Sequence, residues 1–402
     1  MNRKLIYIIT LLLIISIVLT LFYIQTLDNN TKPSLENKEF YFGVEYAYGY
    51  DNQTAQEQLA QLQALVDKVK DYTNLIVIGS LGITFNQTTL SQACDYIYNA
   101  NLSIIVLFTG LEYYEPPSLL PPLNYSTTAW MLEARQKYGE KFLGIYRYDE
   151  PGGRTLDQGI HPIVEKADVS LEDTYITISN KYFVNLHIFP NYYLDFSPRV
   201  FTADFGLYWF DYQAGYTSVF AEFVGNESRE RHLALCRGAA DTFGRDWGTI
   251  ITWKYTQAPY LESPDELYAD LALAYGSGAK YLIVFSYPQL EGTEFGILTE
   301  DHFEALKRFW DEVQSDPSGF GSGERQAAYV LPAGYGFGFR HPDDTIWGVF
   351  PADDLSAKVY NDVQVLVAKY GASFDILYDE LPLTPKLLQC YRDVYYWNQT
   401  IG

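Results

Sequence analysis

The sequence predicts a parallel (β/α)8 TIM barrel preceded by a membrane-spanning helix and followed by a small α/β unit. Three observations point to it. Short apolar runs alternate with amphipathic stretches eight times between Phe40 and Asp316, an uncharged apolar stretch fills residues 5–24, and a Gly/Ser/Pro run after Glu312 leads into a further α/β pattern. Alternating strand and helix patterns are the signature of βα units that build a parallel sheet. Eight of them in order suit a closed barrel of about 250 residues, with an open doubly wound sheet as the alternative.

The N-terminal element comes first. Leu5 to Ile24 carries no charge, and only Thr10, Ser16 and Thr20 interrupt its apolar character. At about 1.5 Å per residue, a helix of that length spans the roughly 30 Å hydrocarbon core of a bilayer. Arg3 and Lys4 precede it and Asp28 is the first charge after it, so the N-terminus is expected in the cytoplasm and the main body outside. A cleaved secretory signal is the rival. Its apolar region is usually about 7–15 residues long and ends in small residues, whereas this stretch ends Leu21-Phe22-Tyr23-Ile24-Gln25-Thr26-Leu27. The reading is a single-pass anchor in the cell membrane, with residues 1–4 as cytoplasmic tail, 5–24 as the span and 25–39 as an extracytoplasmic linker. Asn-x-Ser/Thr sequons at Asn29, Asn52, Asn86, Asn101, Asn124, Asn226 and Asn398 fit an outward-facing, glycosylated surface.

Within residues 40–316 the expected strands are Phe40–Tyr46, Asn74–Ser80, Leu102–Thr109, Phe142–Tyr148, Val200–Asp204, Ser218–Phe223, Gly248–Trp253 and Tyr281–Ser286. The expected helices are Thr54–Tyr72, Leu90–Ala100, Thr127–Tyr138, a long region from Thr155 to Tyr193, Leu207–Ala214, Ser228–Phe243, Ser263–Gly276 and Asp301–Gln314. Residues 317–325 read as a linker. Residues 326–402 then carry strands at Ala327–Leu331, Ile346–Phe350, Phe374–Tyr378 and Val394–Trp397 and a helix at Leu355–Tyr370, the pattern of a small flavodoxin-like or amidotransferase-like domain. The run Pro332–Gly338 fits neither a dinucleotide fingerprint nor a P-loop.

Composition narrows the function classes. A formal charge of −22 argues against nucleic acid, which requires clustered Lys and Arg. Aromatic residues make up 17% of the chain and 36 of them are Tyr, which suits a cleft where rings stack on sugars as well as ordinary packing. Cys94, Cys236 and Cys390 form no CxxC or disulfide pattern and are expected as buried thiols. His161, His187, His232, His302 and His341 lack HxH or HExxH spacing, so neither a metal nor another cofactor is expected.

Chemistry in such a barrel sits at the C-terminal strand ends. The carboxylates there are Glu45, Asp149, Glu150, Asp204 and Glu222. Asp149-Glu150 follows the fourth strand directly and leads into Pro151-Gly152-Gly153. Adjacent acids repel when ionised, so one keeps its proton near neutral pH. Glycoside cleavage needs such a donor together with a second carboxylate. Glu150 is therefore the expected acid, Asp149 its pKa partner or orienter, and Glu222 the second carboxylate. Capping of the turn by Asp149 and pairing of Glu150 with Arg147 is the structural alternative. Glu45, Tyr46, Tyr148, Asp204, Trp253, Lys254 and Tyr287 are the candidate substrate contacts, with Tyr146 and Tyr148 expected on one face of the fourth strand.

Asp-Glu at this position resembles the (β/α)8 glycoside hydrolases, many of which place their acid/base there. A small α/β domain behind the barrel is similar to that of some β-galactosidase-type enzymes. The large retaining clan implies Asn-Glu after strand four and a nucleophilic Glu after strand seven, whereas this chain has Asp149-Glu150 and Thr252-Trp253-Lys254-Tyr255. Asp-Glu is also similar to the pair of hexosaminidase-like barrels, which work with the substrate's acetamido group. The expected ligand is a carbohydrate, with a non-catalytic glycan-binding or envelope-interaction protein as the competing class.

Overall fold

The computed structural model describes residues 39–48, 53–108, 125–170, 172–321, 323–380 and 387–401. The predicted membrane span and the sequons at Asn29, Asn52 and Asn124 lie outside these residues. Among the described residues, no helix is long and apolar enough to cross a membrane.

Eight parallel strands form a closed barrel in sequence order: β1 (Tyr41–Tyr46), β2 (Leu75–Ile78), β3 (Ser103–Leu107), β4 (Phe142–Tyr146), β5 (Val200–Asp204), β6 (Ser218–Phe223), β7 (Asp246–Ile251) and β8 (Tyr281–Phe285). The ring closes where β1 pairs with β8, Tyr41 opposite Tyr281 and Glu45 opposite Phe285. This closure excludes the open-sheet alternative.

Side chains alternate along a strand, and that parity decides which residues reach the interior. Tyr41, Leu75, Val77, Ile105, Leu107, Phe201, Ala203, Phe220, Ile250, Tyr281 and Ile283 form the inner cluster. Its aromatic rings stack closely, with Phe201 and Phe220 5.4 Å apart and Tyr41 and Tyr281 likewise 5.4 Å apart. On the same parity, Glu45 of β1 and Glu222 of β6 point inward near the upper rim.

The surrounding helices are α1 (Ala55–Val69), α2 (Leu81–Thr84), α3 (Gln87–Asn99), α4 (Thr127–Tyr138), α5 (Pro151–Asp157), α6 (Tyr175–Leu186), α7 (Ile188–Leu194), α8 (Tyr208–Ala214), α9 (Arg229–Phe243), α10 (Pro264–Gly276) and α11 (Glu300–Ser315). Their starts follow capping chemistry. Thr54 with Glu57 and Ser263 with Glu266 form complete capping boxes, and Asn86, Ser126 and Ser228 cap α3, α4 and α9. The single helical region expected from Thr155 to Tyr193 is three helices. Gln158 and His161 adopt left-handed backbone, which ends α5 and separates it from α6.

Among the described residues the C-terminal part has one strand fewer than the expected small flavodoxin-like or amidotransferase-like pattern. Three parallel strands, β9 (Ala327–Leu331), β10 (Phe374–Tyr378) and β11 (Asp393–Tyr396), lie in the order β10-β9-β11 beside one long helix, α12 (Ser356–Tyr370). The expected strand at Ile346–Phe350 is reduced to isolated bridges, because Trp347 takes a φ of 58° that interrupts an extended run. Residues 40–402 form one compact unit. The sheet docks on α9, where buried Arg237 donates to Asp375 Oδ1 at 2.8 Å and to the carbonyls of Ala372 and Phe374 at 2.7 and 2.9 Å. The expected linker is not a free tether either. Pro317–Phe320 forms a 3-10 turn packed so closely on α10 that a Cβ on Gly276 would lie 2.0 Å from the Phe320 carbonyl oxygen. The Pro332–Gly338 run wraps the Trp347 ring, which occupies the space above Gly336. Cys94 and Cys236 are buried, but Cys390 is exposed, contrary to expectation, and all three are free.

Candidate active site

A cleft enclosing about 510 Å³ opens at the C-terminal ends of the strands. Among the described residues four carboxylates line it: Glu45 from β1, Asp149 and Glu150 from the turn after β4, and Glu222 from β6. Strand seven contributes Ile250, Thr252 and Trp253, none of them acidic.

The turn after β4 has an unusual build. A bulge at Leu143 shifts the pairing with β3, so Leu143 and Tyr146 both reach the barrel interior. Tyr148 then takes a φ of 63° and Glu150 a φ of 51°, left-handed conformations that cost on the order of 1–3 kcal/mol each in non-glycine residues. The surroundings compensate. Glu150 N–H donates to the Ala203 carbonyl at 3.1 Å, Thr202 Oγ1 donates to the Tyr148 carbonyl at 2.5 Å, and Tyr216 donates to the Arg147 carbonyl at 3.0 Å. Helix α5 starts immediately afterwards. A Cβ on Gly152 would lie 2.4 Å from Asp204 Oδ2, so glycine lets this helix end seat on the aspartate.

The carboxyls of Glu150 and Glu222 lie within hydrogen-bonding reach of one another. Two carboxyls in contact must share a proton. Burial, followed by repulsion from Asp149, lifts Glu150 to about 7. Burial and then repulsion from Glu150 hold Glu222 well above the usual carboxylate range. Glu45 is 3% exposed and is pushed up to about 8 by burial and then by Asp149. Asp149 accepts from the Tyr146 hydroxyl and lies 3.8 Å from the Arg154 guanidinium.

The other predicted contacts divide. Trp253 and Tyr287 line the cleft as a stacked pair 6.0 Å apart, and Trp253 Nε1 donates to the Tyr287 carbonyl at 2.7 Å. Tyr46 points outward by strand parity and donates to Gln61 of α1 at 2.9 Å. Tyr148 does not share a face with Tyr146. Its left-handed turn sends it into the outer shell, where its hydroxyl donates to the His161 carbonyl at 2.5 Å. Asp204 also points outward and is fully buried, accepting from the backbone N–H groups of Gly152, Gly153 and Phe205 at 2.7, 2.8 and 2.6 Å. Lys254 reaches back to the capping Glu266 at 2.5 Å. Arg147 does not pair with Glu150. It is buried between Phe189 and Tyr193 and donates to the Phe108 carbonyl.

Among the described residues the cation lining the cleft is instead Arg154, a residue not singled out from the sequence. Its signal was spacing: it lies four residues after Glu150, and its N–H donates to the Glu150 carbonyl at 2.9 Å in the first turn of α5. Pro-Gly-Gly read as a turn hid the start of that helix. No group of His, Cys, Asp and Glu capable of holding a metal occurs among the described residues.

Among solved structures, GH5_18 from Streptomyces cattleya in complex with GlcNAc superposes with a TM-score of 0.55 at 14% identity, over 90% of this chain and 99% of that one. The fold is that of GH5_18 glycoside hydrolases. A Glu→Ala variant of the Streptomyces protein with Manβ1-4GlcNAc gives 0.52 at 15% identity, over 89% and 99% of the two chains. GH5_18 from Bifidobacterium longum subsp. infantis gives 0.51 at 10% identity, over 91% and 98%. No protein-family model matches the sequence, and no curated protein matches it.

Proposed function

We propose that this chain is a membrane-anchored, outward-facing glycoside hydrolase. The observation that carries the reading is the contact pair Glu150–Glu222 at the barrel mouth, flanked by Glu45 and Asp149. Glu150, poised near 7, donates its proton to the leaving glycosidic oxygen as the bond to the anomeric carbon breaks. Glu222 attacks that carbon or takes a proton from the incoming water. Carboxyls in contact are closer than the roughly 5–5.5 Å of retaining enzymes or the 6.5–9.5 Å of inverting ones. The sugar ring therefore enters between them and breaks their hydrogen bond, while Trp253 and Tyr287 stack on a neighbouring ring. The GlcNAc and Manβ1-4GlcNAc bound by the structural neighbours support a carbohydrate ligand. The surface location rests on the uncharged segment at 5–24 with its basic flank and on exposed sequon asparagines at Asn86, Asn101, Asn226 and Asn398.

The absence of a carboxylate among the strand-seven residues lining the cleft favours a second reading, a glycan-binding protein that has kept the barrel without turnover. A glycan panel separates the two. Wild type, Glu150→Gln and Glu222→Gln are incubated with β-mannosides, N-acetylglucosaminides and Manβ1-4GlcNAc, and released sugar is measured. Turnover by wild type that both variants lose supports the hydrolase. Binding without turnover in all three supports the second reading, and equal turnover in all three overturns the assignment of the pair.

A further inference from the structure

A buried chain of polar groups lies behind the cleft, outside the residues that line it. Asp204 holds the N–H groups of Gly152 and Gly153, the first turn of the helix that Glu150 begins. The carboxyl of Asp211, on α8, lies within hydrogen-bonding reach of Asp204. Both residues are fully buried. Asp211 Oδ1 accepts from the Tyr182 hydroxyl at 2.6 Å, and Asp211 Oδ2 faces no donor among the described residues.

Two buried carboxyls in contact without a donor between them need a proton. Asp204 already accepts from three N–H groups, which stabilise its charged form. The proton therefore belongs on Asp211, which then donates to Asp204 and accepts from Tyr182. The ring of Tyr182 packs 5.4 Å from Trp347 of the C-terminal part, and Phe210 packs 4.5 Å from the same tryptophan. The same C-terminal segment holds the far end of α5. Arg340 pairs with Asp157, Thr345 Oγ1 donates to the Leu156 carbonyl at 3.5 Å, and a Cβ on Gly348 would lie 2.0 Å from the Thr155 carbonyl oxygen.

We propose that Asp211, oriented by Tyr182 against the C-terminal wall, is a positioning residue that acts through Asp204 to hold Glu150 in its left-handed conformation beside Glu222. The C-terminal part thereby fixes the geometry of the acid pair without touching the cleft. The inference deepens the hydrolase reading for its kinetic consequence, but its structural content stands independently of turnover.

The test compares full-length wild type with Asp211→Ala, Asp211→Asn and Tyr182→Phe by hydrogen exchange of the segment 149–157, with α1 as internal reference. The Asn carboxamide can donate to Asp204 and accept from Tyr182, so it replaces the protonated aspartate. Asp211→Ala is expected to speed exchange in 149–157 by about tenfold or more while α1 stays protected, and Asp211→Asn to restore the wild-type rate. Tyr182→Phe keeps the ring and loses one donor, so it falls between them and decides the matter if Asp211→Ala does not fold. Asp211→Asn exchanging as fast as Asp211→Ala, or exchange in 149–157 unchanged in Asp211→Ala and Tyr182→Phe, overturns the proposal. On a turned-over glycoside, Asp211→Ala should lower kcat between about 10- and 100-fold with KM unchanged, with recovery in Asp211→Asn. Absence of turnover in wild type counts against the hydrolase reading alone, because the exchange comparison still decides this one.

Discussion

Replacing Glu45 with Gln changes one atom and removes one ionisation, and the consequence can be worked from where Glu45 sits. The carboxyl is 3% exposed and fills the space beside Gly79, where a Cβ would lie 2.2 Å from its Oε1. Burial and then Asp149 raise it from 4.5 to about 8. The native state therefore holds a proton that the unfolded chain releases across this interval. Because the native state binds more protons there, unfolding free energy falls as pH rises from about 4.5 to about 8. At 1.36 kcal/mol per pH unit the full interval corresponds to a ceiling of about 5 kcal/mol, and relaxation of the site lowers the expected effect to on the order of 3 kcal/mol. Urea unfolding followed by tryptophan fluorescence at pH 5, 6.5 and 8 measures it. At pH 5 wild type and Glu45→Gln should agree within about 1 kcal/mol, since both side chains are neutral. At pH 8 the variant should be the more stable by on the order of 3 kcal/mol. Parallel stability curves, or a wild type that gains on the variant as pH rises, would refute the placement of a protonated Glu45 in the cleft.

Other outcomes follow from the same geometry. The basic limb of the kcat/KM profile should fall near pH 7, where the Glu150–Glu222 pair gives up its proton, and Asp149→Asn should move that limb to lower pH by removing the repulsion that raises Glu150. Trp253→Ala should weaken disaccharide binding about tenfold by removing one face of the stacked wall, as measured by titration calorimetry. Arg237→Ala should cost about 3–5 kcal/mol in urea unfolding, because it leaves Asp375 buried without that guanidinium at the join between α9 and β10. A loss below about 1 kcal/mol would show that the C-terminal sheet docks mainly through its apolar contacts.

Much of the barrel was legible because its strands are short, apolar and regularly spaced. Val200–Asp204, Ser218–Phe223, Ala327–Leu331 and Phe374–Tyr378 begin and end where the pattern placed them. Parity alone sends Glu45 and Glu222 inward, and the Asp-Glu step places Asp149 and Glu150 beside the cleft. Parity also sends Asp204 and Tyr46 outward, a consequence that listing strand-end acids and aromatics without counting faces overlooks. The departures arise where backbone conformation breaks the period. The bulge at Leu143 and the left-handed turns at Tyr148 and Glu150 redirect side chains along this stretch, and neither Tyr148 nor Glu150 advertises a positive φ as glycine would. Pro151-Gly152-Gly153 has the composition of a turn but forms a helix, because Asp204, some fifty residues later, accepts its N–H groups. The contact of Glu150 with Glu222 likewise joins distant strands that only the closed barrel brings together. The segment 5–24, expected from sequence to anchor the chain, and the sequons at Asn29, Asn52 and Asn124 lie outside the described residues, and the proposed surface location rests on the sequence.

The most direct test of the central claim is the initial rate of glycoside hydrolysis at pH 6 across the glycan panel by wild type, Glu150→Gln and Glu222→Gln, each first shown to be folded by its unfolding transition. The account predicts measurable sugar release by wild type from at least one glycoside and a loss of about 10²-fold or more in kcat on it for each variant. Sugar release by either folded variant at the wild-type rate would contradict it.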